Sequence, residues 1–248
     1  MNYAKPLLIA VALASLTLTA CTSATGEVEE QVGTAEQAAL SFNALSFNGL
    51  HSDPLVVNDL NDPNAREVFK YIVNCALPAD AVIDVTNASG SFSFPGGLGL
   101  APEWGEEGGS CGQNCQQWVS ACVISRLDFL GETVEISLRG DNPGLQTSAS
   151  ELATYTQREA TYYGDIFSVP QRLFACLSPG LTEDPRVCGP TIHGCGVEVL
   201  GSCTELCGPP RADGSFPNCV GPRANDGDPA WLGLADIYPG SITVYLQP

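Results

Sequence analysis

The chain has 248 residues, of which 28 are Asp or Glu and only 10 are Lys or Arg, so its formal net charge at pH 7 is −18. Such a surface repels phosphate backbones, and the sequence contains no basic stripe or recognition motif to offset the repulsion, which excludes nucleic acid as a partner. Hydrophobic residues make up 44% of the chain, enough for its folded part to bury a core.

The N-terminal segment has the three parts of an export signal in order. Lys5 supplies a positive charge, an apolar run follows at 6–18, and small residues precede Cys21 in the motif Leu-Thr-Ala-Cys at 18–21. The run is too short for a transmembrane helix, which needs about 20 apolar residues. A cleaved signal is therefore expected, either an ordinary secretory signal or one that ends in a lipid attachment site.

The motif at 18–21 resembles the lipobox of bacterial lipoproteins. The resemblance implies cleavage after Ala20, attachment of lipid to the Cys21 thiol and acylation (palmitate) of the new N-terminus. Three acyl chains hold a protein stably on a membrane, because stable anchoring takes two or more signals. In lipoproteins, Asp after the cysteine retains the protein at the inner membrane; here Thr22 follows, so the resemblance implies the outer membrane.

Residues 21–54 are expected to form the lipidated cysteine and a flexible acidic tether. Positions 22–37 are small, polar and acidic and include no aromatic residue, so this part cannot bury enough apolar surface to order itself. A near-repeat follows, with Leu-Ser-Phe-Asn at both 40–43 and 45–48, and its alternation is compatible with an extended strand or a docking segment.

The globular part is expected over 55–248 as a single disulfide-stabilised domain. Asp62 followed by Pro63 is typical of an N-cap and first helical residue, and apolar residues recur at helical spacing up to 76, which predicts a helix over 63–76. The alternation at 82–85 and 91–94 around Asn-Ala-Ser-Gly predicts a β-hairpin. A glycine-rich loop follows, at 95–109.

Later elements follow from periodicity in the same way. Apolar residues on one face predict a helix over 113–127, and alternation predicts strands at 133–139 and 242–246, the second returning to the main sheet. Ser148 and Glu151 match a capping box that opens a helix, with Glu159 as its furthest member. Further short strands are expected at 162–169 and 173–177. The predicted fold class is α+β, a small mixed domain with a few helices packed on a short-stranded sheet, plus a disulfide-rich loop region.

That loop region is a cysteine-rich insertion at 176–222, punctuated by Gly, Pro and Cys. Of the 11 cysteines, assigning Cys21 to lipid leaves an even number, which is typical of a disulfide framework in an oxidising compartment. The pairing stays open. The cysteines expected in disulfides are Cys75, Cys111, Cys115, Cys122, Cys176, Cys188, Cys195, Cys203, Cys207 and Cys219.

The sequence gives less support to two other roles for its cysteines, catalysis and zinc binding. Cys115 precedes an aromatic residue much as a papain-type nucleophile does, but its spacing differs and His193 is the only histidine after residue 51. Zinc ligation by His193 with the Cys188/Cys195 and Cys203/Cys207 pairs would need irregular spacings. We therefore predict no catalytic residue, metal or cofactor.

Acidic residues offer further alternatives. The runs Asn-Asp-Gly-Asp at 225–228 and Asp-Leu-Asn-Asp at 59–62 could present oxygens to Ca²⁺, although both are also typical of turns and caps. A polysaccharide hydrolase could use paired carboxylates beside Trp104 and Trp118. Its candidate residues are Glu103, Glu106, Glu107, Glu132 and Glu135. No Gly-x-Ser-x-Gly, phosphate-loop or dinucleotide motif is present.

Five segments of the body, at 71–78, 97–104, 117–122, 136–140 and 163–167, resemble a group of cysteine-containing exported proteins of myxobacteria and related bacteria. The resemblance implies an exported, folded domain and carries over no activity. The expected function is that of a lipid-anchored protein of the cell envelope, at the outer membrane, acting as a binding or structural module. A protein or polysaccharide partner is expected besides the membrane, and the alternative is a secreted-type hydrolase with an acidic site.

Overall fold

The computed structural model describes residues 60–107, 109–182, 184–189, 195–222 and 235–248, together with the strand backbones at 41–43 and 45–46. Its helices are α1 Pro63–Ala76, α2 Gln113–Ser125, α3 Ala149–Thr154, α4 Pro185–Cys188 and α5 Cys203–Leu206. Its strands are β1 Ser41–Asn43, β2 Leu45–Ser46, β3 Val82–Asn87, β4 Gly90–Pro95, β5 Leu127–Asp128, β6 Val134–Arg139, β7 Gln157–Asp165, β8 Arg172–Leu177, β9 Glu198–Ser202, β10 Cys219–Pro222, β11 Ala235–Tyr238 and β12 Ser241–Leu246.

The main sheet has six strands in the order β1-β6-β12-β7-β8-β9. All neighbours are antiparallel except β8 and β9, which are parallel. Three two-stranded units accompany it: the β3–β4 hairpin, the antiparallel β10–β11 pair and the parallel β2–β5 pair. Helices packed on a mixed sheet confirm the α+β fold class, and the disulfide-rich loop region is present as well.

Helix α1 forms where its sequence pattern predicts it, over 63–76. The Asp62 side chain accepts a hydrogen bond from the Asn64 N–H at 2.8 Å, and Pro63 occupies the first turn, where its missing N–H costs nothing. One face of the helix, including Val68, Ile72 and Cys75, is buried against α2. The predicted hairpin is confirmed as β3–β4.

The predicted helix over 113–127 is confirmed as α2, which packs on β7 and β12. On this face of the sheet the alternate residues of β6 and β12 are apolar and fully buried, as the period of two along a strand requires. They are Ile136, Leu138, Ile242 and Val244.

The opposite face of the same strands is polar and is covered by the loop at 211–216. Thr161 and Thr243 share a hydrogen bond of 2.8 Å between their hydroxyls, and Thr243 also accepts from the Phe216 N–H at 2.9 Å. Arg139 donates to the Asp213 carbonyl at 2.8 Å, and Ser241 donates to the Phe216 carbonyl at 2.8 Å. Hydrogen bonds thus attach this loop to the sheet, together with the buried Phe216 ring, which packs with Tyr163 and Phe174.

Two predicted elements near residue 160 are wrong in extent. Helix α3 has the predicted capping box between Ser148 and Glu151, but it ends at Thr154 and does not reach Glu159. The next strand begins at Gln157 rather than 162, because that segment pairs with both β12 and β8. It ends at Asp165, whose side chain accepts from the Phe167 N–H and closes a turn.

The near-repeat at 40–48 contains two short strands. Ser41–Asn43 pairs with β6, and Leu45–Ser46 pairs with β5. The backbone of these residues is therefore extended, as the first of the two alternatives predicted. Both strands lie within residues 21–54. Within the described part of the chain, no helix has the length and apolar character needed to cross a membrane.

Candidate functional site

The five glutamates proposed for a hydrolase are all exposed and lie in three places along the chain. Glu103, Glu106 and Glu107 lie in or just after a 3-10 turn at 102–105, whereas Glu132 lies in a turn and Glu135 on β6. Glu135 accepts hydrogen bonds from the Tyr155 hydroxyl and the Gln247 amide, at 3.3 and 3.2 Å. Among the described residues, no three of these carboxylates are close enough together to bind one metal ion.

The ten cysteines after Cys21 form five disulfides in the structure. Cys75–Cys122 joins α1 to α2, the two longest helices, and closes the longest loop of the five. The full set of pairs is Cys75–Cys122, Cys111–Cys115, Cys176–Cys203, Cys188–Cys195 and Cys207–Cys219. Cys115 is therefore no free nucleophile, and Cys188 and Cys195 bind each other rather than sharing a metal ion.

The remaining sequence candidates fall partly outside the described residues. His193, Asp59 and the acidic run at 225–228 all lie there. Asp62, the last residue of the other acidic run, caps α1 as described above.

A bulge in β7 brings several charged side chains together in the interior of the domain. The pairing register between β7 and β12 shifts between Thr243/Tyr245, so that Thr243 pairs with Thr161 but Tyr245 pairs with Arg158. Arg158 and Thr161 both face the cysteine-rich side, since Arg158 lies over the Phe216 ring. The extra residue therefore turns Glu159 toward the helical side of the sheet.

There Glu159 meets Arg186, which projects from α4. Arg186 Nε donates to Glu159 Oε1 at 2.9 Å and Nη2 donates to Oε2 at 2.6 Å, and both side chains are only 6% exposed. The Tyr162 hydroxyl lies between two carboxylates, 2.6 Å from Asp184 Oδ2 and 3.2 Å from Glu159 Oε2. We call these four residues the buried charge cluster.

Burial and mutual charge shift the protonation of this cluster. Burial, followed by the negative charge of Glu159, raises the pKa of Asp184 to about 6. Burial, with the adjacent Asp184 and Glu159 carboxylates, also raises the pKa of Tyr162 well above its ordinary value. Burial alone would lower the pKa of Arg186, but Glu159 and Tyr162 outweigh it and raise that pKa.

The cluster joins separate elements. Arg186 Nη1 donates to the Leu127 carbonyl at 2.7 Å, and the Phe129 N–H donates to the Arg186 carbonyl at 2.7 Å, so α4 is held to β5 and β7 together. Asp184 also caps α4 by accepting from the Val187 N–H. Glu159, Tyr162 and Asp184 are almost completely buried, and their hydrogen bonds with Arg186 and Val187 position α4 on the sheet.

A second buried network lies on the polar face of the sheet. Ser137 donates to Glu151 at 2.6 Å, and Arg139 donates to Ser137 at 3.0 Å. The Arg139 guanidinium also lies over the Tyr245 ring, 3.6 Å from its centre. Burial raises the pKa of Glu151 and lowers that of Arg139. This network fixes α3 to β6 and is likewise closed to solvent.

Sequence reasoning missed both networks. Asp184-Pro185 repeats the Asp-Pro signature of Asp62-Pro63, and this signal could have located the start of α4. The partnership of Glu159 with Arg186 had no such signal, because it depends on the bulge in β7.

Two accessible features of the described residues are an open cleft and an apolar turn. The cleft has a volume of about 230 Å³ and is lined by Arg172, Phe174 and Glu198 among others, and Arg172 there donates to the Pro222 carbonyl and the Tyr238 hydroxyl. It is smaller than most small-molecule sites, which span about 300–1,000 Å³. Phe129 and Leu130, in the turn after β5, are 54% and 71% exposed.

Comparison with known proteins gave no relatives: no protein-family model, curated protein or solved structure matches the chain.

Proposed function

We propose that this chain is a lipid-anchored protein of the bacterial cell envelope, held at the outer membrane through Cys21. Its disulfide-stabilised domain acts there as a binding or structural module, with a protein or polysaccharide as partner.

The observation that carries the proposal is the cysteine pairing. Five disulfides use all ten cysteines after the apolar N-terminal segment, and the remaining cysteine is the one in the lipobox-like motif. Disulfides persist in exported proteins and are rare in the reducing cytosol. The disulfide framework and the signal therefore favour the same compartment for independent reasons.

The form of the described domain supports a module rather than a hydrolase. Its two carboxylates with raised pKa, Asp184 and Glu151, are buried in networks that hold helices to the sheet. The five glutamates first considered for hydrolysis are all exposed. A module needs a rigid scaffold and an accessible surface, and the exposed turn at Phe129 and Leu130 is one such surface.

The experiment compares Cys21→Ser with the unaltered chain in a bacterium that processes lipoproteins. The unaltered chain should incorporate labelled palmitate and sediment with outer membranes, whereas Cys21→Ser should lose the label and become soluble. Cys111→Ser/Cys115→Ser, which removes two thiols from the folded body, is the control and should stay labelled. If Cys21→Ser remains labelled and membrane-bound, the proposal is wrong.

A second variant tests the outer-membrane assignment. Thr22→Asp should move the lipidated chain from the outer to the inner membrane fraction, while Thr22→Asn, which differs from it by charge alone, should leave the chain in place. Unaltered chain found at the inner membrane would overturn this assignment while leaving the anchor intact.

A further inference from the structure

The exposed turn after β5 is held in place by hydrogen bonds from four successive backbone N–H groups. The Phe129 N–H donates to the Arg186 carbonyl at 2.7 Å. The next three N–H groups, at 130–132, all donate to Asp128, two of them to its carboxylate at 2.9 and 3.2 Å and one to its carbonyl at 3.1 Å. We call residues 129–132 the apolar turn.

The apolar turn displays two large apolar side chains to solvent. Phe129 is 54% exposed and Leu130 is 71% exposed. The Phe129 ring lies against Gly189, where an added Cβ would come within 2.9 Å of the ring, so the ring is supported from below. An N–H group without a partner is costly in an apolar phase, but the four N–H groups of this turn already have theirs. The turn can therefore leave water without losing backbone hydrogen bonds from these groups.

The segment that follows Cys21 in the chain enters the domain beside the apolar turn. Strand β1 pairs with β6 and β2 pairs with β5, and the apolar turn lies in the connection between β5 and β6. Strand β1 runs from opposite Ile136 toward Val134, the first residue of β6, and so approaches the turn. Ser41 lies 20 positions after Cys21. A random coil of that length has a root-mean-square end-to-end distance of about 25 Å, so a lipid on Cys21 would hold this end of the domain near a bilayer.

The charge of the chain determines which kind of bilayer suits the turn. The formal net charge is −18, and the exposed Glu132 belongs to the apolar turn itself. A surface rich in anionic lipids would repel such a protein, whereas zwitterionic headgroups would not. Phe129 and Leu130 gain free energy on leaving water in proportion to the apolar area that they bury. The turn therefore suits a zwitterionic bilayer.

We propose that the apolar turn is a second membrane contact, which inserts Phe129 and Leu130 into the interface of a zwitterionic bilayer and orients the domain on it. The inference rests on the proposed lipid anchor at Cys21. A lipid on a tether limits the distance between domain and bilayer but does not determine which side of the domain faces the bilayer. The second contact supplies that orientation.

Val169 provides a matched comparison at the other end of the sheet. Strands β6 and β7 are both antiparallel to β12, so they run in the same direction. The apolar turn comes before β6, whereas Val169 follows the end of β7. Val169 is aliphatic like Leu130 and is 87% exposed. The proposed orientation leaves Val169 in water.

The test places a tryptophan at one of these two positions in the full lipidated chain. Leu130→Trp, Val169→Trp and the unaltered chain are each reconstituted in phosphatidylcholine vesicles whose acyl chains carry bromine, which quenches indole fluorescence. The three native tryptophans give a background that is subtracted by means of the unaltered chain. In Leu130→Trp we expect the added emission to shift to the blue and to lose most of its intensity. In Val169→Trp we expect neither change.

The other outcomes contradict the proposal. Equal quenching in the two variants, or none in Leu130→Trp, overturns it. A blue-shifted but unquenched indole in Leu130→Trp also overturns it, because protein rather than lipid then covers the turn. Palmitate measured on the same samples separates two failures. A vesicle-bound chain with palmitate and an unquenched indole in Leu130→Trp overturns this inference alone, whereas a chain without palmitate overturns the anchor at Cys21 as well.

Discussion

The Arg186 guanidinium donates hydrogen bonds to both carboxylate oxygens of Glu159, and each of the two side chains is only 6% exposed. Removing either partner would leave a buried charge unpaired. This lowers the free energy of unfolding, because neither water nor another ion can take the place of the missing partner. This pair is therefore the most sensitive point in the attachment of α4 to the sheet.

Glu159→Gln should lower the free energy of unfolding by about 3–5 kcal/mol, the range found when one partner of a buried ion pair is removed. Urea unfolding followed by circular dichroism would measure it. Glu67→Gln is the matched control, because its ion pair with Lys70 is about half exposed and should contribute no more than about 0.5 kcal/mol. Equal effects of the two substitutions would mean that the Glu159 pair is not buried in solution.

Asp184 should make stability fall as pH rises between about 4 and 6. Its pKa is about 6 in the folded state, against about 3.9 for an unfolded chain, so in this window the folded state binds more protons. Its protonation therefore stabilises the fold below the window, and the benefit is lost above it.

Asp184→Asn does not titrate: its one oxygen can still accept from the Val187 N–H, while its amide group lies where Asp184 Oδ2 was and can donate to the Tyr162 hydroxyl oxygen. Subtracting its unfolding free energy from that of the unaltered chain, pH by pH, isolates the contribution of Asp184. The difference should decline from pH 4 to pH 7, and a difference that rises over this range would contradict the assignment.

The Cys75–Cys122 disulfide should contribute more stability than Cys111–Cys115. By the chain-entropy estimate, a crosslink spanning 47 residues is worth about 4 kcal/mol and one spanning 4 residues about 2 kcal/mol. Cys75→Ala/Cys122→Ala and Cys111→Ala/Cys115→Ala can be compared by thermal unfolding. A larger loss from the second pair would show that strain or packing, and not loop closure, sets the order.

Limited proteolysis should cut first between residues 22 and 40. The composition of this segment predicts a tether, whereas residues 41–43 pair with β6 and residues 45–46 pair with β5, which protects them. The cut sites can be read by mass spectrometry of the products. Initial cleavage inside 41–46 would mean that these pairings open readily.

Mass spectrometry of the non-reduced, alkylated protein should find no free thiol among the ten cysteines after Cys21. The structure pairs them in five disulfides, each of which removes two alkylation sites. Two or more alkylated cysteines in the oxidised protein would contradict this framework.

Local patterns predicted local structure well. Asp62 and Pro63 locate the start of α1, and Ser148 and Glu151 locate the start of α3, because each signal is carried by residues that contact one another across a single turn. The predicted end of α3 was wrong because the residues that follow it are placed by contacts with distant parts of the chain. Glu159 belongs to β7 through pairing with distant strands, which the spacing of neighbouring residues does not encode.

The buried clusters lay beyond sequence reasoning because their partners are distant in the chain. Glu159 and Arg186 are 27 residues apart, and so are Cys176 and Cys203, which form a disulfide. An even cysteine count predicted disulfides but left their pairing open. Alternation along β6 shows which residues share a face but not what covers that face, and Ser137 and Arg139 are buried on the polar face.

The position of β12 has a consequence for the timing of folding. It lies between β6 and β7 in the sheet but follows every other strand of that sheet in the chain, so the centre of the sheet cannot assemble until residue 246 has been synthesised. Until then, the edges of β6 and β7 lack the partner that joins them. The sheet therefore closes at its centre last, and folding can be completed only after β12 has been synthesised.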